Sequence, residues 1–201
     1  MNFTPKRFAS KPYVLQLRYV EYCRKGRINM FFKRKLNKID ETADLEFGGN
    51  NDSLGKFAFV LKIEDVDNEL KIIFSGCVEG EKGTNIDDDL DENLKQLLKE
   101  STPIYPDGDD VYEIVFPNYI IYQVRNESYC SWDDYEIRKG RRLIVFEKSR
   151  LLDHFQTVTD ACEAGDGDFY PGEWKHYGVH GEDHIIDVIT HEKPVIKKIS
   201  K

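Results

Sequence analysis

Apolar residues recur at every second position along much of this 201-residue chain, and that period most narrows what it can fold into. Successive side chains of an extended strand point to opposite faces, so alternation builds the half-buried strand of an antiparallel sheet. Tyr13, Leu15, Leu17 and Tyr19 alternate with Val14, Gln16 and Arg18. Cys23 to Arg27 then offers a turn before the apolar run Ile28 to Phe32, which reads as a hairpin. Phe57, Phe59, Leu61 and Ile63 alternate again, and the polar stretch Asp65 to Glu69 separates them from Leu70 to Phe74, a second hairpin. Further strands are expected over 111–116, 119–124, 142–146, 174–180, 184–189 and 195–199.

Two segments carry the helical period instead. Between Asp88 and Glu100, Leu90, Leu94, Leu97 and Leu98 fall at i, i+4, i+7 and i+8, with acidic residues first and Lys95 and Lys99 last, as the helix dipole prefers. A second helix opens at Ser149, a natural N-cap, and carries Leu151, Leu152, Phe155 and Val158 as one stripe through Ala161. With no βαβ alternation, the expected fold is α+β: a largely antiparallel sheet with two amphipathic helices covering one face. Gly, Pro, Asn and Asp cluster over 48–55, 79–87, 105–110 and 164–172, which read as surface loops. Length favours one globular domain over 1–201, with sub-lobes 1–78 and 111–201 joined by the acidic helical segment as the other division.

Charge is distributed unevenly. Residues 1–38 hold eleven Lys/Arg against the single acid Glu21, whereas the remaining 163 hold eighteen Lys/Arg against thirty-six Asp/Glu, giving −8 in all. Clustered charge steers partners of opposite sign over about a Debye length, roughly 8 Å at physiological salt. Cys23, Cys77, Cys130 and Cys162 stand singly without CxxC spacing, which excludes a zinc knuckle and a dense disulfide scaffold. No apolar run is long enough to cross a bilayer and none follows the basic N-terminus as an export signal would, so a cytoplasmic protein without membrane association is expected.

Motifs for chemistry are scarce. From Asp87, the acids Asp87, Asp89 and Asp91 match the first ligands of an EF-hand loop. Glu92 then occupies the position that needs Gly, and Leu98 the position that needs a bidentate Glu. His176, His180 and His184 are spaced by four, with Asp183 and Asp187 nearby. Gly178 and Gly181 argue for a hairpin rather than a helix there, and Gly181 stands where the general base of HExxH belongs. If the chain holds a metal at all, these three histidines, brought together across the turn, are the ligands, and a metal-dependent enzyme is the alternative function. No nucleophile elbow and no phosphate-cradling glycine loop occurs, so no catalytic residue and no cofactor is assigned.

The basic segment suggests a second alternative, nucleic-acid binding: Arg24 to Arg27 and Lys33 to Lys35 flank Met30, Phe31 and Phe32, which could track phosphates and stack bases. Against it, a chain carrying −18 beyond residue 38 repels a polyanion from most directions. The larger charge favours the converse, a surface for a basic protein. Its expected residues are Asp87, Asp88, Asp89, Asp91 and Glu92, with Asp107, Asp109, Asp110, Asp133 and Asp134, and Trp132 as an aromatic anchor.

The stretch from Tyr119 to Tyr129, the segment Gly140 to Phe155, then Trp174 to Tyr177 and His184 to Ile189, resemble small cytoplasmic proteins of bacterial toxin–immunity loci. The resemblance covers the C-terminal two fifths and rests on a strand, an Asn-Glu-Ser turn, a Ser-capped helix and a closing hairpin. It implies a protein without catalysis of its own that neutralises a cognate toxin domain, often a nuclease. The basic first third lies outside it.

Overall fold

The sequence between Phe57 and Phe74 folds as the expected hairpin, although Ala58 and Val60 rather than Phe57, Phe59 and Leu61 face the core and a bulge between Val60 and Lys62 brings Ile63 to the same side; its turn is regular. Asp67 and Asn68 both take left-handed conformations, with φ of 56° and 64°, which is the type I′ geometry that matches the twist of two paired strands. The structure is a computed structural model that describes residues 45–84, 86–165 and 167–199. The expected hairpin over residues 13–32 lies outside the described residues.

Eleven strands are described: β1 (Phe59–Val66), β2 (Glu69–Glu79), β3 (Ile104–Pro117), β4 (Tyr119–Asn126), β5 (Ile137–Lys139), β6 (Leu143–Lys148), β7 (Cys162–Glu163), β8 (Phe169–Tyr170), β9 (Lys175–His180), β10 (His184–Thr190) and β11 (Val195–Ile199). The first sheet has the order β1-β2-β3-β11 and the second β4-β10-β9-β6-β5, while β7 and β8 form a small ribbon. Every described pairing is antiparallel. Asn118, at φ 46°, turns the chain out of the first sheet into the second between β3 and β4.

The two sheets pack face to face. Leu70, Ile72 and Phe74 of β2 and Tyr112, Ile114 and Phe116 of β3 meet Leu143, Tyr177, Val179, Ile186 and Val188 of the second sheet in one buried cluster. Phe47 enters between the layers, its ring 5.7 Å from Phe116 and 4.9 Å from Tyr177 in edge-on contacts. Its loop is pinned by buried Asn51, whose side-chain amide donates to the carbonyls of Glu46, Gly49 and Arg141 and whose Oδ1 accepts from the Glu46 N–H.

The helices differ from expectation. Helix α1 (Glu92–Glu100) begins four residues later than the apolar spacing suggests, because Asp91 caps it by accepting from the Leu94 N–H at 3.0 Å. It buries none of its residues, so it covers no sheet face. Helix α2 (Arg150–His154) is one short turn and a half followed by a 3-10 turn, rather than a helix through Ala161. It does cover a sheet: Leu151 and Phe155 pack with Ala161 and Ile189 on the outer face of the second sheet. The molecule is therefore mainly β, with one helix serving as cover. The expected loop over 105–110 is the first half of β3, where Pro106 stands opposite Cys77 just beyond a bulge that accommodates its missing N–H.

Candidate functional site

In the hairpin of β9 and β10, His180 stands opposite Ile185, Gly178 opposite Asp187 and His176 opposite Ile189. Alternation places those six on one face, turned away from the first sheet, and puts Tyr177, Val179, Ile186 and Val188 in the core. Strand β4 adds Gln123 opposite Asp187, and β6 adds Phe146 opposite His176. The outer face of a sheet is thus loaded with polar groups, and α2 closes over one side of it.

Asp187 is the hub. It is fully buried, and one carboxylate oxygen accepts from Gln123 Nε2 and Arg125 Nε, each at 2.9 Å, and from an Arg125 terminal nitrogen at 2.8 Å. The other oxygen faces His176 Nε2 at 3.3 Å. Burial pushes the Asp187 carboxyl up, but the His176 contact and the charges and hydrogen bonds of Arg125 and Gln123 outweigh it and hold it below the usual carboxylate range.

His176 is buried as well, stacked flat on Phe146 at 4.0 Å, and its Nδ1 lies 2.8 Å from Ser149 Oγ. Ser149 Oγ also caps α2, accepting from the Leu152 N–H at 3.0 Å. A hydrogen on Nε2 satisfies every member: Leu152 donates to Ser149, Ser149 to His176, and His176 to Asp187. The order serine, histidine, aspartate is that of a nucleophilic relay. Ser149 Oγ, however, has no solvent-accessible neighbourhood, being fully buried under the helix it caps. Chemically the arrangement ties α2 to the sheet.

Above this floor lies a cleft of about 500 Å³ lined by Gln123, Arg125, Asn126, Tyr129, Cys130, Ser131, Asp133, Glu136 and Arg150, with His176 and Asp187 at its base. Its outer wall is the connection from β4 to β5. That connection is clasped by cation–π contacts: Arg138 sits 4.3 Å over the Trp132 ring, and Lys148 and Arg150 lie 3.7 Å and 3.9 Å over Tyr135. Asp133 accepts from Arg150 Nε at 3.0 Å, a bond that lowers the Asp133 carboxyl below its ordinary value. Trp132 Nε1 donates to Asp134 at 2.6 Å, yet the indole remains 71 % exposed, as does Tyr129.

The residues expected from sequence are distributed as follows. Asp133 lines the cleft, and Trp132 and Asp134 are its neighbours in the connection from β4 to β5. Asp87, Asp88, Asp89, Asp91 and Glu92 belong to the excursion between β2 and β3, at the far end of a hairpin of the first sheet, and Asp107 and Asp109 lie on the first half of β3. Asp110 is not an open acidic residue: it accepts from Tyr112 at 2.6 Å and pairs with Lys198 at 2.8 Å, joining β3 to β11. Burial and the Asp110 bond push the Tyr112 hydroxyl up to about 12.

The three histidines do not converge. His176 and His180 share the outer face, but His184 has the opposite parity on β10, because the register that sets His180 opposite Ile185 puts 185, 187 and 189 on that face and 184 on the other. Among the described residues no group of three or more His, Cys, Asp or Glu side chains is arranged to hold a metal ion. His180 folds over Gly178, where an added Cβ would meet its Nε2 at 3.0 Å, and that Nε2 has no hydrogen-bond partner. Burial lowers His180 from 6.5 to about 4, with Arg138, Arg125 and Arg142 acting in the same direction and Asp187 opposing. The basic segment, including Lys33, Arg34 and Lys35, lies outside the described residues.

Sequence reasoning reached Ser149 as a cap and His176 and Asp187 as neighbours in a hairpin, but not their union. The signal was present in parity: with the turn at 181–183, residues 176, 178 and 180 must share a face with 185, 187 and 189. Among the described residues no helix is long and apolar enough to cross a membrane. Comparison of the chain with protein-family models, with curated proteins and with solved structures returns no match.

Proposed function

We propose that this protein is a non-catalytic binding module that docks a basic protein domain, of the kind an immunity protein neutralises, onto the rim formed by Tyr129, Trp132, Asp133 and Asp134. The observation that carries this reading is Trp132: a large ring 71 % exposed, yet held in one orientation by Arg138 on its face and Asp134 at its N–H. An aromatic ring fixed before contact loses little rotamer entropy on binding, which is what a hot-spot residue needs. Polar groups surround it as a rim that can exclude water from the buried ring.

The interior of the same region supports the non-catalytic side of the reading. Ser149, His176 and Asp187 use their hydrogen-bonding capacity on one another, on the α2 cap and on Arg125 and Gln123. A nucleophile has to meet its substrate, and this serine is covered. Neutralisation then follows by occlusion: the partner's active surface is covered while the cleft contributes no chemistry.

The test is affinity capture from the native lysate with immobilised parent, Trp132→Ala and Ser149→Ala proteins, eluted by salt and identified by mass spectrometry. The reading expects one basic protein retained by the parent and by Ser149→Ala and lost from Trp132→Ala. Equal retention by Trp132→Ala sinks this placement of the interface, and retention of nucleic acid in place of a protein sinks the function.

A further inference from the structure

The cleft over Asp187 is lined by one carboxylate that the molecule leaves unused. Apart from His176, the ionisable side chains with a full charge in its wall are Arg125, Arg150, Asp133, Glu136 and Asp187. Four of them are paired with one another: Arg125 meets Asp187 at 2.8 Å, and Arg150 meets Asp133 at 3.0 Å. Glu136 has no ion pair and no side-chain hydrogen bond among the described residues. The wall therefore carries one negative charge in excess, and Glu136 is where it resides. This residue is half-buried, in a backbone turn that is tied down. Its N–H donates to the Asp133 carbonyl at 3.1 Å, the Tyr135 N–H donates to Asp133 Oδ1 at 2.9 Å, and the Tyr135 hydroxyl donates to Asp153 of α2 at 2.5 Å. A carboxylate held in a concave wall gives up part of its hydration, and here nothing in the protein replaces it.

Charge and donor count select the occupant. An anion entering the cleft would face Glu136 and find both guanidinium groups already engaged by carboxylates, whereas a cation meets the excess charge. Further acceptors stand in the same wall: Gln123 spends its Nε2 on Asp187 and keeps its carbonyl oxygen, and Ser131 adds a hydroxyl. Acceptors spread over several residues suit the five N–H donors of a planar guanidinium better than a compact ammonium. We propose that the cleft is a guanidinium pocket in which Glu136 receives an arginine side chain, supplied by the basic partner that docks on the adjoining connection from β4 to β5. The source of the arginine rests on the reading given under Proposed function; the pocket itself does not.

The experiment titrates the full chain with N-acetyl-arginine amide, N-acetyl-citrulline amide and N-acetyl-glutamate amide, followed by backbone amide NMR shifts. Citrulline keeps the shape of arginine and replaces its charge by a neutral urea, so the comparison on the parent protein needs no variant. The expected result is saturable binding of the arginine probe alone, with shifts concentrated over residues 123–136. Glu136→Gln weakens it roughly tenfold or more, and melts as the parent does because no hydrogen bond of the fold is lost. Equal binding of the citrulline or glutamate probe, or insensitivity to Glu136→Gln, overturns the pocket. The source of the arginine is read by adding Glu136→Gln to the lysate capture described above. Reduced retention of the basic protein assigns the arginine to that partner. Retention equal to the parent's overturns that assignment and makes a free guanidinium compound the occupant. Probe binding that survives in Trp132→Ala, together with undiminished capture by that variant, sinks the Trp132 interface and leaves the pocket standing, so the two readings fail separately.

Discussion

At the scale of single residues, Asp187 decides how the second sheet can be built. A carboxylate in the middle of a buried strand is tolerated only when its charge is paired and its lone pairs are used, and Arg125, Gln123 and His176 do both. Asp187→Ala leaves the His176 Nε2–H and the Arg125 guanidinium without their acceptor, and chemical denaturation is expected to show a loss of about 3 kcal/mol. Because its folded-state pKa is depressed, the stability Asp187 provides is present above the ordinary carboxylate range and is lost as pH falls through its lowered value. His180 acts in a different window. Unfolded, it takes up a proton near 6.5; folded, burial delays this to about 4. The unfolded chain therefore binds more protons between those values, so stability is complete above 6.5 and declines as pH falls towards 4, by on the order of 3 kcal/mol. His180→Gln is expected to flatten the pH dependence of denaturation midpoints between pH 6.5 and 4; an unaltered slope contradicts it.

At the scale of elements, local chemistry explains the hairpins and fails at the irregular strand. The β1–β2 turn places Asn68 at φ 64°, which Gly adopts without a Cβ penalty and a β-branched residue does not. Asn68→Gly should hold or raise the thermal midpoint, while Asn68→Val should lower stability by about 1–2 kcal/mol. Ser149→Ala removes a helix cap and the donor to His176, and is expected to cost about 2 kcal/mol in denaturation. These features were readable because each depends on residues a few positions apart: local pattern marked the β1–β2 and β9–β10 hairpins, though not β5, and a serine before Leu151 and Leu152 marked α2's start. The first half of β3 was not readable, since Tyr105 to Asp110 has the composition of a loop; Ile104 to Pro106 are held as strand by pairing with Cys77 to Glu79, and 107–110 bridge the bulge before Val111 pairs with Ser75. Similarly, the leucines of α1 have the spacing of a buried stripe, and spacing alone does not show that Leu94 and Leu97 are exposed.

At the scale of the whole molecule, the division into two layers depends on pairings distant in sequence. Strand β11 follows β10 in the chain yet leaves its sheet to pair with β3, so Val195 to Ile199 reads as a strand without revealing which sheet it closes. The union of Ser149, His176 and Asp187 has the same origin: β4, β6, β9, β10 and the α2 cap must all be in place before the carboxylate is satisfied. On the proposed reading, the outer surface rather than these buried polar groups is where a partner docks. Its acidic excess makes a second expectation: association with a basic partner slows as salt rises, and stopped-flow measurements should show a smaller salt dependence for Asp133→Asn/Asp134→Asn than for the parent. The central claim, that the rim of Tyr129 and Trp132 is the docking surface, is tested most directly by hydrogen–deuterium exchange of the protein alone and with the basic protein it captures. Protection concentrated over residues 127–136 is the predicted result. Protection confined to other strands, with 127–136 exchanging as in the isolated chain, would contradict it.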